Sequence, residues 1–207
     1  MKNLKLILTA AMMLPAAFVY GQTVMLTPTQ DAGYFAAGFV DGVPQVSDRN
    51  FGAHNFVPVA HANNDRVNRA LFQFDIAGNV PAGSTIDAAT FSFEVTQQGG
   101  PQGQTALDFN LHRVTTAWDE GTGAGMQGAI SGDGATWAMA TATVAWNTFG
   151  GDFDSAISGA VTVNGAGMYD LSGANLVTDI QNIVDGSTTD YGFLLKGASE
   201  VLSLIHI

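Results

Sequence analysis

Two alternating runs constrain this chain more than any other feature of it. In Arg69-Ala70-Leu71-Phe72-Gln73-Phe74-Asp75, the residues Ala70, Phe72 and Phe74 fall on one side, and Arg69, Leu71, Gln73 and Asp75 on the other. Successive side chains of a strand point to opposite faces. One apolar face and one polar face closed by opposite charges is the pattern of a sandwich strand, not of a helix. After the turn Pro81-Ala82-Gly83-Ser84-Thr85, the run Ile86–Val95 sends Phe91, Phe93 and Val95 one way and Thr90, Ser92 and Glu94 the other.

Further short runs follow the same rule. Thr23–Thr27, Phe56–His61 (at an edge, because of Pro58), Leu107–Val114, Ala160–Val163, Gly167–Leu171 and Tyr191–Lys196 read as strands. Phe109 and Leu111 face inward on theirs, and His112 faces the polar side. Asp31–Val40, punctuated by Gly33 and Gly38, reads as loop, and Gly121–Gly134 is too long for a turn, so it reads as a surface excursion. One helix is expected near the C-terminus, capped by Ser172, carrying Leu176, Ile180, Ile183 and Val184 on one face, and ended by Gly186. The fold class is therefore all-β, an antiparallel β-sandwich with one short helix near the C-terminus, and the 207 residues suffice for a single such domain.

Met1–Gly21 has the form of a secretory signal peptide: Lys2 and Lys5, an apolar stretch from Leu6 to Val19, and small residues before Gln22. The expected domain spans 22–201. Loss of the leader would leave five basic residues against 18 acidic ones, a net charge of −13. Such a field repels nucleic acid and anionic lipid, so no nucleic-acid partner and no membrane insertion after cleavage are expected. Without cysteine the domain must rest on its core, with or without a metal ion. Residues 202–207, Leu-Ser-Leu-Ile-His-Ile, resemble the translation of a sequencing-library adapter, so the native closing strand is expected to lie beyond them.

The chain carries no His-Glu-x-x-His helix, no Gly-x-Ser-x-Gly elbow and no phosphate loop. The adjacent pair Asp119-Glu120 would point to opposite faces of a strand and not share a substrate. Structural calcium is the better reading, because it takes about six to eight oxygens, which Gly-rich loops supply. Asp48 and Asn50 in one turn, and Asp152 and Asp154 in another, have i, i+2 spacing, with Asp133 a weaker addition. The competing role for each is that of a self-bonded turn residue. Glycan binding requires an aromatic platform beside polar groups. Trp137, Trp118 and Tyr34 are candidates, Trp137 being expected nearest the surface and Trp146 in the core. Arg66 and Arg113 complete the expected ligand-binding set, while Arg69 and Arg113 can also pair with Asp75 and Glu120 across strands.

Several segments, in order, are similar to a known family. They are Asp48-Arg49-Asn50-Phe51-Gly52, the strand Arg69–Asp75, the run His112–Gly121 with its Arg-Val-Thr and Trp-Asp-Glu-Gly, then Trp146-Asn147, Tyr169-Asp170-Leu171 and Tyr191–Gly197. Together they resemble the secreted DNRLRE-type domains, jelly-roll sandwiches related to carbohydrate-binding modules of the family ninety-six type. The resemblance implies a non-catalytic jelly-roll module on a secreted or cell-surface protein, beside a polysaccharide-degrading or sorting domain. Its partner would be a polysaccharide or cell-surface glycan. The low count of arginine and lysine speaks against an acidic glycan. The alternative is a structural or adhesive cell-surface domain without a small ligand.

Overall fold

A computed structural model describes residues 4–11, 21–36, 39–40, 43–44, 47–62, 66–97, 106–125 and 132–200. In chain order the elements are β1 (Leu4–Ala11), β2 (Gly21–Leu26), β3 (Gln30–Phe35), β4 (Phe39–Val40), β5 (Val43–Pro44), β6 (Ala60–Ala62), β7 (Arg66–Gln73) and α1 (Ile76–Asn79). They continue with β8 (Thr85–Val95), β9 (Leu107–Arg113), β10 (Gly159–Val163), β11 (Gly167–Ser172), α2 (Ala174–Val184) and β12 (Phe193–Gly197). One large sheet has the order β11-β8-β1-β2 and a second β10-β9-β12-β7-β3, with β6 also on β7, while β4 and β5 pair as a separate two-stranded sheet. Every pairing among the described strands is antiparallel.

The alternation in the two constraining runs is what packs the sheets together. Phe72 of β7 meets Phe91 of β8 at 5.5 Å between ring centroids, and Phe93 of β8 meets Phe109 of β9 at 6.5 Å. Ala70, Phe74, Leu111, Phe193 and Leu195 fill the same core. Each such Phe or Leu side chain, fully buried, contributes about 1.5–3 kcal/mol. α2 closes one end of this core with Leu176, Ile180, Ile183 and Val184. Its Gln181 is bonded to the start of β8, with Ile86 N donating to Oε1 (2.8 Å) and Nε2 donating to Ser84 O (3.0 Å).

Several expectations change. Ser172 ends β11, and Gly173 takes the helix cap with no side-chain bond. A second short helix, α1, forms because Asp75 accepts from Gly78 N at 2.9 Å, which removes Asp75 from any pairing with Arg69. Residues 30–35 form a regular strand despite Gly33, because the register on β7 is continuous from Gln30 to Phe35 and Val57 and Pro58 lie against that glycine. Of the run from Phe56 to His61, only Ala60–Ala62 pairs as strand. Leu4–Ala11, inside the stretch with the form of a leader, is a central strand, antiparallel to both β8 and β2. The suspected adapter residues 202–207 lie outside the described residues.

Candidate binding surface

β7 is apolar on its second face too, through Val67 and Leu71. The segment that follows β9 covers this face. Val114, Trp118, Ala135, Trp137, Ala140 and Trp146 pack on Ala32, Tyr34, Val67, Leu71 and Leu194 as a second core. The polar tips of the aromatic residues are mostly satisfied by backbone. Tyr34 Oη donates to Gly150 O (2.8 Å), Trp118 Nε1 to Tyr191 O (2.8 Å) and Trp146 Nε1 to Thr136 O (2.9 Å). Trp137 stands edge-on to Tyr34 at 6.2 Å. Burial raises the Tyr34 hydroxyl well above its ordinary pKa, against the lowering effect of Arg69.

The expected platform is thereby corrected. Trp137, Trp118 and Tyr34 are 2 %, 3 % and 0 % exposed, so none offers a ring face to a ligand. Trp137, expected nearest the surface, is one of the most deeply buried large side chains. His112, expected at the surface, is buried as well. Its Nδ1 lies 3.0 Å from Asp154 O and 3.1 Å from Ala156 O, and burial lowers its pKa.

The arginines are committed to the protein. Arg69 clasps the second core: its Nε and Nη2 donate to Glu200 at 2.9 and 2.6 Å, and its Nη1 donates to Gly150 O at 2.6 Å. Its guanidinium lies 4.8 Å from the Trp137 ring centroid. Lys196 approaches the same Glu200 carboxylate at 3.3 Å. Arg113 pairs with Asp154 (3.0 Å) and Asp179 (3.4 Å), not with Glu120, whose Oε1 accepts from Asp31 N at 3.4 Å. Arg66 lies over the Phe35 ring at 5.4 Å.

The calcium candidates take up turn roles. Asp152 Oδ2 accepts from Thr116 Oγ1 and from the backbone and side-chain nitrogens of Asn147, and Oδ1 accepts from Thr148 N, all at 2.9–3.0 Å. Burial pulls this carboxyl upward, but those bonds outweigh it and leave its pKa lowered. Asp154 is lowered first by Ala156 N, then by Arg113. Asn50 is buried, its Nδ2 donating to Glu120 O at 3.1 Å, while Asp48 is exposed. Asp133 accepts from both the backbone and the hydroxyl of Thr122. Donor hydrogens therefore point at the Asp152 oxygens, three at Oδ2 and one at Oδ1. Among the described residues no cluster of three or more His, Cys, Asp or Glu is placed to hold a metal ion.

What the fold leaves at the surface is a different aromatic group. The turn after Asn50 is held between β3 and the excursion, with Phe51 N donating to Gly33 O (2.7 Å) and Ala53 N to Gly123 O (3.0 Å). From it rings run outward: Phe35 to Phe51 at 6.1 Å, Phe51 to His54 at 5.8 Å, and His54 to Phe56 at 4.2 Å. Phe56 is 50 % exposed. His54 Nδ1 is buried without a hydrogen-bond partner among the described residues. The only trace in the sequence is the His-x-Phe spacing, which puts both rings on one side of an extended segment. That trace is weak beside the larger tryptophan and tyrosine rings. No family model, curated protein or solved structure matches the chain. No helix among the described residues is long and apolar enough to cross a membrane.

Proposed function

We propose that this domain is a secreted, non-catalytic carbohydrate-binding module that takes an uncharged polysaccharide against Phe56 and His54. The observation that carries this reading is the outward run of rings ending at the half-exposed Phe56. An exposed ring packs on the apolar face of a sugar, and an imidazole beside it bonds hydroxyls. The formal net charge of −11 favours an uncharged polymer over an acidic one. Electrophoresis through gels containing neutral and acidic polysaccharides tests it. Retardation in a neutral polymer is expected, with Phe56→Ala weakening it about tenfold, the effect of losing roughly 1.4 kcal/mol.

The second reading is a structural or adhesive surface domain. It draws on the Arg69–Glu200 clasp and the second core, which spend the tryptophans and most arginines on internal packing. Unchanged migration in every polymer favours it and removes the first.

A further inference from the structure

β1 is made of residues that also read as a leader. Leu4, Leu6 and Leu8 point into the inter-sheet core and are buried, while Lys5, Ile7 and Thr9 point away from it. The strand is hydrogen-bonded on both edges, Leu6 opposite Leu26 of β2 and Phe91 of β8, and Leu8 opposite Val24 and Ala89. Among the described strands, β2 pairs with the sheet only through β1. Yet Lys2, Lys5 and the apolar run to Val19, with small residues ahead of Gln22, have the sequence pattern of a signal-peptidase substrate. Cleavage there would leave β2 almost whole and withdraw the strand between it and β8. The edge of β8 would then expose unpaired backbone groups beside an apolar trough, which is the situation that recruits a strand from elsewhere.

We propose that the place between β8 and β2 is a strand-acceptor site, which Leu4–Ala11 fills while the leader is attached. After cleavage it takes an extended segment of a partner polypeptide, antiparallel to β8. The pairing of β1 with β8 and β2 sets the chemistry of that partner: about six to eight residues, aliphatic at every second position, with no charge on that side. Leu4, Leu6 and Leu8 give the inward spacing, and Lys5, Ile7 and Thr9 show that the outward side tolerates charge, bulk or hydroxyl. This inference rests on the leader reading and is independent of the carbohydrate reading.

Two measurements test it. The mass of the chain secreted by a bacterial host is expected to begin at Gln22, and a secreted chain that retains Met1 overturns release. The site itself is tested in the full chain carrying Leu6→Asp and Leu8→Asp, which displaces its own strand. A fluorescent peptide with the sequence Lys2–Ala11 is expected to bind this variant one to one and raise its melting temperature toward that of the native chain. The native chain is expected to bind none. Peptide bearing Ile7→Asp is expected to bind as well as the parent, and peptide bearing both Leu→Asp changes not at all. If the variant does not fold alone, soluble folded protein is expected on refolding with the parent peptide. Failure of uptake and of rescue, equal binding of the doubly substituted peptide, or an unchanged melting temperature in the double variant overturns the proposal.

Discussion

Asp190 shows how a single residue can be placed at a cost. Burial pushes its carboxyl up to about 6, against the hydrogen bond it accepts from Gly192 N at 2.9 Å. The unfolded chain releases this proton near pH 3.9. Between about pH 4 and 6 the folded state therefore holds more protons, and stability falls as pH rises through that window. Asp190→Asn keeps an oxygen for Gly192 and never ionises. It is expected to raise the unfolding free energy at pH 7 by roughly 1–3 kcal/mol and to change it little at pH 4. Urea midpoints at the two pH values check this, and an equal effect at both would count against the assignment. Asp152 has the opposite sign. Its lowered pKa means that its stabilising bonds persist above the usual carboxylate range and are lost on acidification. The turn role of Asp152 is legible as one of two alternatives in its i, i+2 spacing, whereas nothing local marks Asp190 as a buried acid.

At the level of elements, the turn after Asn50 and the excursion behave as one unit. A Cβ on Gly52 would fall on the carbonyl oxygens of Glu120 and Gly121, so backbone would have to move. Gly52→Ala is expected to destabilise the domain by about 1–3 kcal/mol. Limited proteolysis should cut the variant first within 121–134, and an unchanged cleavage pattern would mean that the clamp does not hold this loop. The alternation of β7, β8 and β9 was readable because their core faces obey a period of two over five or more residues. The strand at 30–35 is not legible in the sequence because its glycine suggests a loop, and only pairing with β7 shows why a glycine is tolerated there. The cap of α2 was misplaced by one residue because Ser172 is held in β11 by pairing with Thr90.

For the whole molecule, the second core changes what stability can depend on. With two apolar layers and Asp152 already holding four donors, a chelator is expected to leave the melting temperature unchanged. A cation bound at a hundred times its Kd would add about 2.7 kcal/mol, so its removal would lower the midpoint by roughly 5–10 °C. A fall of that size on adding EDTA would show that a bound cation such as calcium holds the fold. The sequence by itself determined the all-β sandwich, the Phe72, Phe91 and Phe109 core, the helix face from Leu176 to Val184 and the acidic charge. These follow from local periodicity and composition, which need no knowledge of neighbours. Only the tertiary structure decided that Trp137, Trp118 and Tyr34 are core and Phe56 is surface, that Arg69 meets Glu200, and that Leu4–Ala11 lies between β8 and β2. Burial outside a periodic strand depends on which distant segment folds over a residue, and no local pattern encodes that.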